Sequence, residues 1–169
     1  MSPAPVVIAL GSNVGDSLRY LQDAVAALRR AIRVERVSSV YRTVPMYVED
    51  QPPFLNAALT GSTELGPRSL LRCLKEIESE IGRRDRARYG PREIDLDLIA
   101  YGSLSYAFTG GDKPLVVPHP KTGERRFVLA PLYEIDPGYK LVGLGAVNEL
   151  LAQTNDQAND VERLDHAHL

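Results

Sequence analysis

The sequence predicts an α+β fold: a ferredoxin-like βαββαβ sandwich, with an antiparallel sheet, helices on one face and a C-terminal extension. Three observations predict it. Short β-branched runs alternate with two stretches whose apolar residues recur at spacings of three and four. Those blocks follow the order strand, helix, strand, strand, helix, strand. The 169 residues leave room for one compact domain and a short tail, with no second full domain.

Val6-Val7-Ile8-Ala9-Leu10 is a continuous apolar run ending at Gly11, the pattern of a strand buried on both faces at the centre of a sheet. From Ser17, residues Leu18, Leu21, Val25, Leu28 and Ile32 mark an amphipathic helix, with Asp16 or Ser17 placed to cap it. Val34 to Thr43 reads as one β-rich strand, after which Pro45, Pro52 and Pro53 impose a loop. Phe54 to Thr63 is the third strand. Gly66-Pro67 opens a second helix whose stripe of Leu70, Leu71, Leu74, Ile77 and Ile81 ends at Gly82. A polar loop then leads to an alternating strand, Arg92 to Tyr101, with Ile94, Leu96 and Leu98 on one face and Glu93, Asp95 and Asp97 on the other.

Beyond residue 102 the sequence predicts a short strand at Leu115-Val116-Val117, a helix over Phe127 to Ile135 and another over Ala146 to Leu151. One domain is expected over 1–152, with a polar C-terminal tail over 153–169 in which His166 and His168 are solvent-exposed.

Hydrophobic residues make up 44% and charged residues 25%, and 20 Lys and Arg against 22 Asp and Glu leave a net charge of −2. That balance gives no global field to draw the chain to nucleic acid or to an anionic membrane, so neither is an expected partner. Cys73 is the single cysteine and cannot form an internal disulfide, which fits a reducing cytoplasm. The first residues lack a basic export region, and the Val6–Leu10 run is far shorter than the ~20 apolar residues of a membrane span.

Chemistry concentrates between residues 83 and 97. Asp95 and Asp97 leave the same face of a strand roughly 6–7 Å apart, a spacing at which two carboxylates can share a hard cation such as Mg²⁺. The same alternation also describes an ordinary solvated strand face. Immediately before it, Arg83, Arg84, Arg86, Arg88 and Arg92 put five guanidinium groups into ten positions, chemistry that matches phosphate oxygens bidentately. A loop of like charges ending in Gly90-Pro91 is expected to repel itself and stay open until polyphosphate arrives. Gly11 to Ser17 lacks the Lys-Ser/Thr pair of a P-loop, so its glycines serve turn geometry or close approach of a ligand. Phe54 and Asn56 share a strand face, where a ring to stack on and a carboxamide to read an edge suit a flat heteroaromatic molecule, although each also has an ordinary structural role open to it. His119 lies in a proline-bounded loop near Arg125 and Arg126, placed either to bond phosphate or to satisfy a structural contact.

Taken together, these segments resemble the 6-hydroxymethyl-7,8-dihydropterin pyrophosphokinase (HPPK) family of folate synthesis over most of residues 5–136. The most specific block is Arg88-Tyr89-Gly90-Pro91-Arg92-Glu93-Ile94-Asp95-Leu96-Asp97-Leu98-Ile99. Ile8 to Asn13, Ser38 to Thr43, Asp50 to Ala58, and Val117 to Pro120 with Arg125 and Phe127 support it in the same order. The resemblance implies attack of a pterin hydroxymethyl oxygen on the β-phosphorus of ATP, release of AMP, and two Mg²⁺ ions held by Asp95 and Asp97. It implies a pterin between Phe54 and Phe127, its edge read by Asn56 and by backbone near Thr43 and Met46, beside Gly11. Glu78, Tyr89, Arg92, Ile99, His119 and Arg125 stand where the family contacts nucleotide, and Arg83, Arg88, Arg92 and Asp97 where it carries out the transfer. Asp85, Tyr89 and Tyr47 depart from the arginine, tryptophan and glycine frequent at those places. Two other functions share the architecture, an RNA-binding module and a small-molecule-sensing domain. The net charge and the missing RNP1 pattern count against the first, and the aspartate pair beside five arginines against the second.

Overall fold

A computed structural model describes residues 2–169. Its main sheet is built from β1 (Ala4–Ser12), β2 (Arg33–Val37), β3 (Val40–Thr43), β4 (Phe54–Thr63) and β5 (Asp95–Tyr101), with α1 (Ser17–Ala31) and α2 (Pro67–Ile81) between them. Every pairing is antiparallel. β1 lies between β4 and β5, while β2 and β3 share the far edge of β4. Counting β2 and β3 as one interrupted strand gives the fourth-first-third-second order of a ferredoxin-like sheet.

The helices start and stop where the sequence says they should. Asp16 caps α1 by accepting the Arg19 N–H at 3.2 Å. Pro67 opens α2, and Gly82 closes it at φ +116°, a left-handed conformation that glycine adopts without strain. Both helices pack on the face carrying Ile8, Leu10, Leu59, Leu96 and Leu98, all buried.

The strand expected over Val34 to Thr43 is interrupted at Ser38-Ser39. Ser38 keeps the break attached to β4, its N–H donating to Ala58 O and its Oγ accepting the Ala58 N–H, both at 2.9 Å. Residues 92–94, expected to begin the fourth strand, lie outside the ladder. The Arg92 carbonyl instead accepts the Asn13 and Val14 N–H groups of the β1–α1 turn. Glu93 therefore does not share the aspartate face; it is buried, and it accepts from the Arg86 guanidinium and the Arg84 N–H.

Two later helices cover the second face of the sheet, which adds a layer to the expected one-sided packing. A small hairpin of β6 (Tyr106–Phe108) and β7 (Leu115–Val117) precedes α3 (Arg126–Ile135). The two-residue ladder of β8 (Lys140–Leu141) and β9 (Gly145–Ala146) leads to α4 (Val147–Ala152). Val128, Leu129 and Leu132 of α3 pack on Val7, Ala9 and Ala58, and Glu134 ties the helix to the sheet by accepting from Ser39 N, Ser39 Oγ and Tyr41 OH.

The expected polar tail is a correction. Residues 161–164 form β10 (Val161–Leu164), which pairs with β3 and extends the sheet, so no boundary falls at residue 152. Val161 and Leu164 are only two apolar residues around a charged pair, too short a pattern to register as a strand. The exposed backbone edge of β3 supplies the rest of the driving force by pairing the N–H and C=O groups of both chains. Ala167 is buried among the α1 and α2 side chains, whereas His166 and His168 are exposed as expected. No helix among the described residues is long and apolar enough to cross a membrane.

Candidate active site

Register builds the floor of the site. Gly11 of β1 pairs with Asn56 on one side and Asp95 on the other; one step along, Ala9 pairs with Ala58 and Asp97. Residues paired in an antiparallel ladder share a face, so Asn56, Gly11 and Asp95 form one row across three strands and Ala58, Ala9 and Asp97 the next. The central strand contributes only a methyl group or a hydrogen to this face, and the groups beside it stand proud of a shallow trough. At Gly11 the hydrogen is obligatory, because a Cβ there would meet Asn56 Oδ1 at 2.7 Å.

Asn56 is buried and oriented. Its Nδ2 donates to Thr43 Oγ1 at 2.6 Å, which turns Oδ1 across Gly11. Phe54 lies one alternation along β4, and Phe127 overhangs from the first turn of α3. With Thr43 and Met46 they line a cavity of about 280 Å³. Charged and polar groups line the rest of that cavity: Asp95, Asp97, Arg83, Arg92, His119 and Arg125, together with Arg88 and Tyr89.

Electrostatics at the charged end follow from crowding. Burial, and then Asp95 beside it, push the Asp97 carboxyl well above the usual carboxylate range. Asp95 Oδ1 accepts from Arg83 NH1 at 2.8 Å, and the same guanidinium nitrogen reaches Glu78 Oε2 at 2.6 Å. Glu78 is buried, and its Oε1 accepts from Lys75 Nζ at 2.8 Å and from the Leu96 N–H at 2.7 Å, the amide between the two aspartates. Burial and the nearby Arg125 push His119 down to about 4, so its imidazole is neutral near pH 7.

The arginine loop lies against the site, with Arg83, Arg88, Tyr89, Gly90 and Arg92 lining the cavity. Two of its five arginines have acidic partners: Arg83 pairs with Glu78 and Asp95, and Arg86 with Glu93. Asn13 fixes both this loop and the one after β3, its Oδ1 accepting the Arg92 N–H and its Nδ2 donating to Gln51 Oε1 and Pro52 O.

Of the site residues that the resemblance implies, two lie outside the cavity. Glu78 lines a second cavity of about 410 Å³ beside α2. The Ile99 side chain is buried in the α3 core, and only its carbonyl faces this region, accepting the His119 N–H at 2.9 Å. Sequence reasoning missed Lys75, Lys121 and Gln51. Lys75 had a signal, the i, i+3 spacing to Glu78 on one helix; Lys121 and Gln51 had none, since their contacts join distant loops.

This fold and site define an α+β domain that offers a flat, polar-edged slot beside an arginine-rich carboxylate pair, the features of a protein that handles a heterocycle next to a phosphorylated group. The chain belongs to the 7,8-dihydro-6-hydroxymethylpterin-pyrophosphokinase (HPPK) family, which residues 7–137 match. It is 41% identical over 160 residues to the 2-amino-4-hydroxy-6-hydroxymethyldihydropteridine pyrophosphokinase of Methylorubrum extorquens, covering 94% of this chain and 97% of that protein. It is 50% identical over 131 residues to the mitochondrial folate synthesis bifunctional protein of Pisum sativum, covering 77% of this chain but only 25% of that one. The chain thus spans about a quarter of the length of the plant relatives it matches. The fold is also that of a crystallised HPPK-DHPS in complex with substrates, with a TM-score of 0.83 at 14% identity over 97% of this chain and 46% of that one.

Proposed function

We propose that this chain transfers the terminal diphosphate of ATP to the hydroxymethyl group of 6-hydroxymethyl-7,8-dihydropterin, giving AMP and the pterin diphosphate in folate synthesis. One observation carries the reading. The cavity lined by Phe54, Asn56 and Phe127 and the second cavity lined by Glu78 and Lys75 share Arg83, Asp97 and His119. Two ligands seated in them meet at the carboxylates.

In this reading Phe54 and Phe127 hold the faces of the pterin, and Asn56 Oδ1 and its remaining N–H read the edge. Thr43 fixes that carboxamide against rotation. The hydroxymethyl oxygen is then directed toward Asp95 and Asp97, where it attacks the β-phosphorus. The bond from that phosphorus to the bridging oxygen of AMP breaks, and the hydroxyl proton leaves to solvent. Such transfers rest on positioning and charge stabilisation more than on covalent help from the protein.

Asp95 and Asp97 fit Mg²⁺: two crowded carboxylates, one of them held unfavourably charged by burial, are relieved by a hard divalent cation. Asp95 and Asp97 would be the side chains that hold it, and no third metal-ligating side chain joins them among the described residues. When bound, the metal neutralises charge on the transferring group. Arg83, Arg88, Arg92 and Arg125 supply fixed positive charge around the phosphates, and neutral His119 donates a hydrogen bond without adding charge. The working unit is the whole of 2–169, since β10 completes the sheet that carries Thr43.

The test is AMP release from ATP and Mg²⁺ in the presence of the reduced hydroxymethylpterin. We expect one AMP per pterin consumed and none when the pterin is omitted. Release of ADP, or no pterin-dependent AMP, overturns the assignment.

A further inference from the structure

Arg125 and Phe127 line the cavity from one short segment, the turn that enters α3. That turn has no cap of its own. Arg125 occupies the N-cap position, with φ −112° and ψ 94°, and its side chain makes no capping hydrogen bond. The first N–H groups of a helix find no partner inside it, so an acceptor must come from elsewhere. Gln157, half-buried in the C-terminal segment, supplies one. Its Oε1 accepts the Arg126 N–H at 3.1 Å, and its Nε2 donates to the Glu124 carbonyl at 2.9 Å.

These two backbone groups bracket Arg125. The Glu124 carbonyl precedes its φ and the Arg126 N–H follows its ψ, so one planar carboxamide bonded to both restrains both dihedral angles. The Arg126 side chain adds to the hold: its NH1 donates to Leu151 O at 3.2 Å and to Thr154 Oγ1 at 3.4 Å. Neighbouring side chains of the turn are thus divided, Arg125 and Phe127 to the cavity and Arg126 to the C-terminal segment. Phe127 also borders a further cavity of about 360 Å³, together with Met46, Gln157 and Val161. A side chain that borders two cavities is packed by its neighbours over only part of its surface, so its position depends on the backbone that carries it.

We propose that Gln157 is a positioning residue that sets the backbone about Arg125 and so holds Arg125 and Phe127 at their places in the cavity. The consequence for catalysis rests on the pyrophosphokinase reading, in which Phe127 holds a face of the pterin and Arg125 supplies charge around the phosphates. Gln157 itself does not line that cavity; it acts on both substrates through one stretch of backbone. A shift of the turn moves the ring against the pterin and the guanidinium against the phosphates together, so pterin KM and kcat both change.

The test compares Gln157→Leu and Gln157→Glu with Gln153→Leu, the same change at an exposed position of the same segment. Gln157→Glu keeps the acceptor for the Arg126 N–H and loses the donor to Glu124. Residue-resolved hydrogen exchange follows the amides of Arg126, Val128 and Leu129, which bond to Gln157 or to the Arg125 carbonyl, with the amides of β1 and β4 as the control for global unfolding. In Gln157→Leu we expect the three amides to exchange about tenfold faster and those of β1 and β4 to stay as in wild type. At saturating ATP and Mg²⁺, pterin KM should rise about threefold to tenfold and kcat fall to a similar degree. Gln157→Glu should keep the Arg126 amide protected and give intermediate kinetics, and Gln153→Leu should match wild type throughout. Unchanged exchange in Gln157→Leu overturns the hold on the turn, and faster exchange with unchanged KM and kcat overturns the positioning role. Protection lost in β1 and β4 as well, or an equal effect in Gln153→Leu, overturns a role specific to this carboxamide. Wild-type chain whose turn is protected through Gln157 but which releases no pterin-dependent AMP refutes the pyrophosphokinase reading and leaves the hold on the turn standing.

Discussion

The two faces of the sheet use the same strands for opposite purposes. Toward α1 and α2, β1 presents Ile8 and Leu10, β4 presents Leu59 and β5 presents Leu96 and Leu98, and every one is buried. Toward α3, the alternate positions of those strands are Ala9, Gly11, Asn56, Asp95 and Asp97. Large apolar side chains on the first face fill space and exclude water, whereas small and polar ones on the second leave a trough with functional groups at its rim. A strand has period two, so one stretch of sequence can serve as core and as site, and substitutions one residue apart should have different consequences.

The sharpest break between the faces comes from Leu10→Ala and Asp97→Asn. Leu10 is 2% exposed, and truncating it should lower stability by about 2–5 kcal/mol, a large fraction of the roughly 5–15 kcal/mol typical of a domain. Asp97→Asn keeps the volume and removes one of two crowded charges. Its melting temperature without Mg²⁺ should match or exceed wild type, while kcat/KM falls a hundredfold or more, on the order of the several kcal/mol a bound metal supplies. Thermal melts beside AMP-release kinetics check both. Near-normal activity in Asp97→Asn, or a melting temperature lowered as far as in Leu10→Ala, would place Asp97 with the structural residues.

A second pair, Gly11→Ala and Gly61→Ala, separates the faces by what a single methyl group meets. At Gly11 it lands 2.7 Å from Asn56 Oδ1, so the carboxamide must leave its place over the trough. At Gly61 it lands 2.5 Å from the Arg33 carbonyl oxygen, where backbone must move. Gly11→Ala should weaken pterin binding about tenfold, the equivalent of roughly 1.4 kcal/mol for a displaced polar group, with a smaller change in stability. Gly61→Ala should lower stability by about 1–3 kcal/mol and leave pterin affinity near wild type in the protein that remains folded. Calorimetric titration with the pterin and denaturant melts measure the two effects.

The contrast also explains what the sequence could reveal. Periodicity located both long helices and the Phe54–Thr63 strand, because each has enough apolar positions to show its period. The two aspartates, the arginine loop and the Phe54–Asn56 pair were legible because they are local, two residues apart or contiguous. The Ser38–Ser39 break was not, since its cause is the backbone of β4 on one side and Glu134 of α3 on the other. β10 was hidden for a related reason: four residues with two apolar side chains carry little signal until the free edge of β3 is known. The carboxylate partners of Arg83 and Arg86 were missed because the loop's formal charge was counted without Glu78 and Glu93, one a helix turn upstream and one assigned to the wrong face.

The smallest effect expected is a pH dependence confined to the second face. His119 is held neutral by burial and by Arg125, with its pKa lowered from 6.5 to about 4. In the unfolded chain the imidazole takes up a proton below about 6.5, while in the folded protein it does not until near 4, so the unfolded state binds more protons between these values. The contribution of His119 to stability therefore rises with pH across this window and contributes no slope above it, while Asp97, pushed above the usual carboxylate range, contributes a slope of the opposite sign. The core under α1 and α2 has no histidine among its buried residues to add a similar slope. His119→Asn should make the slope of stability against pH between 4 and 6.5 more negative than in wild type, since the opposing Asp97 contribution remains, with the two curves parallel above pH 7. Denaturant melts of both proteins at closely spaced pH values provide the measurement. A wild-type slope that survives unchanged in His119→Asn would assign it to other groups and show that the imidazole titrates alike in the folded and unfolded chain.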